Sequence, residues 1–110
     1  MNIKKEKIGD FSVLKIKGRI DTIHSSALED EVNLLFGSGE KNWIFDCSGM
    51  NYISSSGLRV FLVAQKKVIS INGKLYLCNM QTAIQEIFRI SGFSNLFRIF
   101  ETLEEALESQ

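Results

Sequence analysis

The sequence predicts an α/β fold in which a mixed, mainly parallel β-sheet carries an N-terminal hairpin and about four helices. Short β-prone runs alternate with helical patterns in the order β-β-α-β-α-β-α-β-α, which is typical of a largely parallel sheet with an antiparallel edge. The chain has 110 residues, 45% of them apolar, with no proline and no shift in composition that would mark a linker. Residues 1–110 are therefore expected to form a single domain with one core.

The first two strands are predicted from β-prone runs at residues 2–8 and 11–17. Gly9 and Asp10 lie between them, and a two-residue Gly-Asp link suits a tight hairpin turn. The charges of residues 4–7 place the first strand at an edge of the sheet, where they would discourage pairing with other chains.

The first helix is predicted to follow Gly18-Arg19-Ile20-Asp21, the segment that leads out of the second strand. Ser26 and Glu29 have the spacing of a capping box, in which the serine hydroxyl accepts a hydrogen bond from a helix N–H group. The helix is expected to end at Gly37 and Gly39. Its inward residues recur at helical spacing and are Leu28, Val32 and Leu35.

The centre of the chain combines a short strand, a loop and a helix. The strand is predicted over residues 43–47, with a turn over residues 49–51 and a serine cluster, Ser54 to Ser56, followed by Gly57. The helical pattern that follows predicts a helix over residues 55–71. Its predicted buried face consists of Leu58, Phe61, Leu62, Val68 and Ile69. The serine cluster thus lies where a strand leads into a helix, which is where function gathers in parallel sheets.

The last part of the chain is predicted to contain strands at residues 74–78 and 97–100, each followed by a helix. Thr82 and Thr102 each begin a further capping-box pattern, and Gly92 ends the first of these two helices. The inward residues are Ile84, Ile87 and Phe88 in the first helix and Leu103, Ala106 and Leu107 in the second.

Charge, hydropathy and cysteine usage favour a cytoplasmic protein. Thirteen basic and thirteen acidic residues cancel, which argues against a nucleic acid or an anionic membrane as a partner. No apolar run approaches the roughly 18 residues that a membrane helix needs, and residues 1–20 lack the order of a signal peptide. Cys47 and Cys78 lie beside apolar runs and form no CxxC pair, so both are expected to be reduced thiols in the core.

Enzymatic motifs are missing from the sequence. His24 is the only histidine, and a solvated or capping role suits its polar loop better than catalysis. Ser55, His24 and Asp46 could form a triad on paper, but the serine lacks the GxSxG pattern that exposes a nucleophile. Asp21 and Asp46 could approach each other, although two such carboxylates more often serve a turn and a cap. The sequence also contains no zinc-binding or phosphate-loop motif, so we expect no catalysis, cofactor or metal.

The serine cluster leaves two interpretations open. Serine is a preferred N-cap, but a cap needs one hydroxyl and three occur here in a row. A phosphate at this position would face free N–H groups at the positive end of a helix dipole and would add a charge of about −2. Gly57 would let another surface approach the backbone closely.

The helix after the serine cluster offers a second surface feature. With its apolar stripe turned inward, Val60 and Val63 are expected to face outward, together with Arg59, Lys66 and Lys67. Exposed valines are often without function, but they are also what a docking surface for a partner protein would show.

Residues 46–62 resemble the signature of the STAS domain and, more specifically, that of the bacterial anti-sigma factor antagonists. The resemblance extends over nearly the whole chain. Its further landmarks are Gly18-Arg19-Ile20-Asp21, Gly73-Lys74-Leu75 and Ile90-Ser91-Gly92-Phe93.

The resemblance implies a protein that is switched by phosphorylation. In this family the unphosphorylated antagonist binds an anti-sigma factor that is also a serine kinase with a histidine-kinase-type ATPase domain. Phosphorylation by that kinase breaks the complex, and a PP2C-type phosphatase restores it. A STAS domain can instead serve a transport or signalling assembly without being phosphorylated, which is the main alternative.

The resemblance also implies which residues carry the switch. Ser55 occupies the position of the phosphorylated serine, with Ser54 and Ser56 as lesser candidates. The implied partner-binding residues are Asp21, Ser54, Ser55, Ser56, Gly57, Arg59, Val60 and Val63. Ser54 stands where well-studied antagonists have aspartate, which removes one charge from the kinase-facing loop.

Overall fold

The computed structural model, which describes residues 1–109, contains the predicted elements in the predicted order. The strands are β1 (Asn2–Ile8), β2 (Phe11–Ile20), β3 (Asn42–Ile53), β4 (Lys74–Cys78) and β5 (Arg98–Phe100). The helices are α1 (Ser25–Gly37), α2 (Ser55–Ser70), α3 (Thr82–Ile90) and α4 (Leu103–Glu108), with a 3-10 turn at Ser94–Leu96 before β5. Gln110, the last residue of the predicted domain, lies outside the described residues.

The five strands form one sheet in the order β1-β2-β3-β4-β5. The β1–β2 hairpin is antiparallel and turns at Gly9, whose φ of 58° suits a residue without a side chain. The three remaining strand pairs are parallel. The predicted fold class and the predicted edge position of β1 are therefore confirmed.

The two faces of the sheet are covered unequally. One face carries α1, α2 and α3 over the main core, which includes Trp43, Phe45, Phe61 and Phe88. Of the elements within residues 1–109, the other face carries only α4, whose buried Ala106 belongs to a smaller cluster. The remaining members of that cluster are Phe11, Val13, Ile44, Tyr76 and Cys78.

The two cysteines are free and buried, as predicted. Cys47 belongs to the main core and Cys78 to the smaller cluster, so their side chains lie on opposite faces of the sheet. Burial raises the pKa of both thiols, which keeps them protonated at neutral pH.

Of the three predicted capping boxes only the last one forms. The Thr102 hydroxyl accepts from the Glu105 N–H at 3.1 Å, and the Glu105 carboxylate accepts from the Thr102 N–H at 3.2 Å. The boxes predicted at Ser26 and Thr82 are wrong, because both residues lie inside their helices, whose N-caps are His24 and Gln81. The Ser26 hydroxyl instead donates to the Ile23 carbonyl at 3.2 Å.

The turn predicted over residues 49–51 is also wrong, because β3 continues through it to Ile53. The second strand likewise continues beyond its predicted end, and the two strands stay paired up to Ile20 and Ile53. The pairing is irregular near Gly18, whose φ of 101° marks a local distortion of the ladder. As a result β2 and β3 extend together past the end of β4, which pairs with β3 only as far as Asp46.

The buried face of α2 differs in part from its predicted stripe. Leu58, Phe61 and Val68 are buried as expected, but Leu62 is half-buried and Ile69 is 62% exposed. The helix packs against α1 as well as the sheet, so its buried face is turned toward α1. The buried residues of α2 are Gly57, Leu58, Val60, Phe61, Ala64 and Val68.

Gly73 provides a test of how β4 enters the sheet. A Cβ atom at this position would lie 1.9 Å from the Lys41 carbonyl oxygen, the group that accepts from the Lys74 N–H. We expect Gly73→Ala to lower the free energy of unfolding by about 2–4 kcal/mol, because the backbone must shift to relieve the contact. Urea denaturation measures the difference.

Gly37→Ala is the matched control for this substitution. It lies at the end of α1, and a Cβ atom there would meet no heavy atom within 4 Å. We expect it to leave stability unchanged or to raise it by about 0.5–1 kcal/mol. Equal effects of the two substitutions would contradict the proposed role of Gly73.

Candidate functional site

The candidate site lies where β2 and β3 end and α2 begins. The Ser54 N–H donates to the Ile20 carbonyl at 2.8 Å, which is the last backbone contact between the two strand ends. Ser54 itself is extended, with φ −88° and ψ 173°, and is the N-cap of α2. Its hydroxyl accepts from the Gly57 N–H at 3.2 Å, and its carbonyl accepts from the Leu58 N–H at 2.9 Å.

The three serines of the cluster have different environments. The hydroxyl oxygens of Ser54 and Ser56 are 2.9 Å apart and share a hydrogen bond. Ser55 lies between them, is exposed, and has no hydrogen bond from its hydroxyl to any group within residues 1–109. Capping is therefore the role of Ser54, and Ser55 is the serine whose hydroxyl is free to react.

The start of α2 is compatible with an anion at Ser55. The first amides of a helix lack intrahelical partners, and here only that of Gly57 is satisfied by the cap. The first turn of α2 contains no acidic residue, and the exposed Arg59 lies one turn further along. A phosphate on Ser55 would thus lie at the positive end of the helix dipole, an interaction worth about 0.3–1 kcal/mol.

The structure explains the glycine at position 57 in a different way from the sequence analysis. A Cβ atom at this position would lie 2.8 Å from Cγ2 of Ile20 and 2.8 Å from Cγ1 of Ile53. The surface that approaches this glycine is therefore the chain's own sheet and not a partner. Gly57 is buried and allows α2 to pack closely on the ends of β2 and β3.

Val60, expected to face outward on α2, is only 1% exposed, so this expectation is wrong. The buried face of α2 includes it because the helix packs on both the sheet and α1. Val63 is half-buried and Arg59 is exposed, so these two remain accessible to a partner.

Asp21 follows β2 directly and organises the loop before α1. Its Oδ1 atom accepts from the His24 N–H at 2.9 Å and lies 2.8 Å from the His24 ring nitrogen Nδ1. The backbone N–H of His24 is the largest cause that lowers the pKa of this carboxyl, and the His24 side chain adds to it. Asp21 is therefore a partly exposed, ionised group. It lies beside the serine cluster, because the carbonyl of the preceding residue, Ile20, accepts from the Ser54 N–H.

The triad and the carboxylate pair considered from the sequence do not form. His24 contacts Asp21, whereas Asp46 lies in the middle of β3 and accepts from the Ser48 N–H and the Asn79 side chain, both at 3.1 Å. The end of β2, which Asp21 follows, is level with Ile53 on β3. Asp46 lies seven residues before Ile53, a separation of roughly 20 Å along the strand.

Two exposed residues near the site were not predicted. Ile23 is 79% exposed in the loop before α1, and Tyr52 is 36% exposed near the end of β3. The Arg19 guanidinium lies 4.2 Å from the centre of the Tyr52 ring, in register with it on the neighbouring strand. Tyr52 was missed because a turn was predicted before it, whereas the alternation of side chains along a longer β3 would have indicated it.

Two kinds of feature are absent from residues 1–109. No helix there is both long and apolar enough to cross a membrane. No group of three or more His, Cys, Asp or Glu side chains in that range is placed to hold a metal ion.

Comparisons with known proteins agree with the fold. The family described as STAS domain matches residues 2–106. The chain is 31% identical over 106 residues to BtrV of Bordetella bronchiseptica, provisionally named an anti-sigma factor antagonist, a match that covers 96% of this chain and 91% of BtrV. It is 28% identical over 96 residues to the anti-sigma-F factor antagonist RsfB of Mycobacterium tuberculosis, with 87% and 78% covered.

A solved structure supports the fold independently. The phosphorylated form of the Bacillus cell fate determinant SpoIIAA superimposes with a TM-score of 0.76 at 18% identity, and the match covers 97% of each chain. At this identity the likeness concerns the fold alone.

The different roles of Ser54 and Ser55 can be tested by stability. We expect Ser54→Ala to lower the free energy of unfolding by about 1 kcal/mol, because it removes the hydroxyl that caps α2. Ser55→Ala is the matched control one residue later and should change stability by less than about 0.5 kcal/mol. Urea denaturation measures both effects. A larger loss of stability in Ser55→Ala than in Ser54→Ala would contradict the separate roles of the two serines.

Proposed function

The chain belongs to the STAS domain family, and we propose that it is an anti-sigma factor antagonist whose binding is controlled by phosphorylation of Ser55. The observation that carries this proposal is the exposed, unbonded hydroxyl of Ser55 between two serines that bond each other. Ser54 and Ser56 are less suitable phosphate acceptors, because their hydroxyls are engaged and the first also caps α2.

The names of related proteins support the function. BtrV and RsfB are both named as anti-sigma factor antagonists, which are regulatory binding proteins and not enzymes. SpoIIAA, which shares the fold, has been solved in a phosphorylated form. The names support an anti-sigma factor as the partner, and SpoIIAA shows that a protein with this fold can be phosphorylated.

The proposed partner surface is formed by exposed and half-buried residues around Ser55. It contains Asp21, Ser55, Arg59 and Val63, which were predicted, together with Ile23 and Tyr52. An apolar centre with a polar rim is typical of protein interfaces. The proposed surface leaves out Val60 and Gly57, which were also predicted to bind the partner, because both are buried beneath it.

The proposed partner is an anti-sigma factor with a histidine-kinase-type ATPase domain that acts as a serine kinase. Such a kinase must place the Ser55 hydroxyl at its nucleotide, so the binding surface and the modified group coincide. A PP2C-type phosphatase would remove the phosphate and restore binding. We place this cycle in the cytoplasm, where the kinase would find its nucleotide.

A phosphate at Ser55 would weaken the complex by charge and by desolvation. It would add about two negative charges to a surface that already contains the Asp21 carboxylate, and burying it without a counter-charge is costly. A hundred- to thousandfold loss of affinity needs only about 3–4 kcal/mol. Such a loss requires no change in the fold.

The switch can be tested with wild type, Ser55→Ala and Ser55→Asp as baits in the source cells. Wild type and Ser55→Ala should retain the same ATPase, and Ser55→Asp should lose it, with an affinity lowered about a hundredfold in calorimetry. Mass spectrometry of the recovered wild type should place the phosphate on Ser55.

Ser91→Asp is the charge-matched control, because Ser91 is an exposed serine at the end of α3. It should bind the ATPase as wild type does. If all three baits and the control recover the same proteins and Ser55 carries no phosphate, Ser55 is not a switch. The chain would then be a constitutive STAS module of a transport or signalling assembly.

A further inference from the structure

A row of basic side chains lies on the face of the sheet opposite to α2. Lys15, Lys17 and Arg19 are exposed at alternate positions of β2, and Lys4 lies directly opposite Lys15 on β1. Residues that are directly opposite each other in an antiparallel pair share a face, so these four side chains line one surface. We call this surface the basic row.

The basic row is the part of this face that α4 leaves uncovered. The apolar cluster under α4 includes Phe11 and Val13 of β2 but ends before Lys15. Beyond it the surface contains a shallow depression of about 250 Å³ between Lys4, Lys15 and Lys17, bordered by Asn2 and Ser48.

The charges of the basic row are not neutralised by any ion pair within residues 1–109. Among residues 1–109 the ion pairs are Lys7–Glu40, His24–Asp21 and Arg89–Glu86, none of which includes a member of the row. Asp46 is level with Lys15 on the next strand, but it is 6% exposed and its Oδ1 accepts from Ser48 and Asn79. Glu6 lies at the end nearer α4, opposite Val13.

Protection of a sheet edge does not explain these lysines. Lysines on edge strands discourage pairing with other chains, which accounts for Lys4 on β1. Lys15 and Lys17 lie on β2, which is paired on both sides. Like charges on directly opposite residues destabilise a sheet, so the Lys4–Lys15 pair lowers the stability of the β1–β2 pairing. A bound group of negative charge would offset this loss.

Lys17 is also held in place by its neighbour. A Cβ atom at Gly49 would lie 2.9 Å from Cγ of Lys17, so the absence of a side chain there lets the lysine stem lie on the backbone of β3. The stem of Lys17 is thereby packed against the sheet.

We propose that the basic row binds an acidic, extended segment of a protein partner. Alternate residues of a strand are about 6.6–7 Å apart, so carboxylates at alternate positions of an extended segment match the spacing of Lys15, Lys17 and Arg19. A row about 13 Å long suits such a segment better than a single phosphate, which needs donors that converge on one point. This contact does not depend on phosphorylation of Ser55.

The test uses the full chain and a fluorescein-labelled peptide of about ten alternating Glu and Thr residues, a length that spans the row. Anisotropy should show binding that weakens when salt is raised from about 0.05 M to about 0.3 M. Lys15→Gln/Lys17→Gln should reduce affinity about five- to thirtyfold, as expected for two exposed ion pairs. Lys41→Gln/Lys66→Gln removes two exposed lysines elsewhere and should stay within about twofold of wild type.

Further ligands distinguish an extended acidic segment from other anions. A peptide of the same composition with its glutamates in adjacent blocks should bind more weakly, and a Gln/Thr peptide should not bind. The proposal is overturned if wild type does not bind the alternating peptide at low salt, or if both double variants lose affinity equally. It is also overturned if tripolyphosphate or phosphatidylserine vesicles bind through Lys15 and Lys17 while the peptide does not.

Discussion

The hydrogen bond from the Ser54 N–H to the Ile20 carbonyl determines where α2 starts relative to the sheet. It continues the contact between β2 and β3 by one residue and leaves Ser54 in the extended conformation that is typical of an N-cap. Three residues later, Gly57 packs against the side chains of Ile20 and Ile53. Ser55 lies between these two contacts, on the side exposed to solvent.

This arrangement tolerates no shift in register. If α2 began one residue later, Ser55 would become the cap and Leu58 would occupy the position against Ile20 where not even a Cβ atom fits. The close packing therefore maintains the exposure of Ser55. A phosphate on Ser55 leaves both contacts intact, so the proposed switch acts on surface charge and not on the integrity of the helix. A phosphate on Ser54 would instead modify the hydroxyl that caps α2 and bonds Ser56.

The order of elements could be predicted because apolar periodicity and turn residues are local signals. The predictions failed where a neighbouring element determines the local structure. The patterns at Ser26 and Thr82 match a capping box, but they carry no information on backbone angles, which the preceding loops determine. Gly49 resembled a turn residue, although the strand pairs there because the glycine accommodates Lys17. Val60 could not be placed without knowing that α1 packs beside α2.

The extension of β2 and β3 beyond β4 gives rise to both proposed surfaces. On one face it carries the chain to Ser54 and the start of α2, and on the other it passes the end of α4 and exposes Lys17 and Arg19. A chain with equal numbers of acidic and basic residues thereby acquires a local positive surface. The two surfaces lie on opposite sides of the same strands and approach each other only near Tyr52, where Arg19 stacks on the ring. One partner could therefore stay bound to the basic row while phosphorylation of Ser55 breaks its other contact. Because the partner would remain attached, that other contact would be intramolecular and would re-form quickly after dephosphorylation.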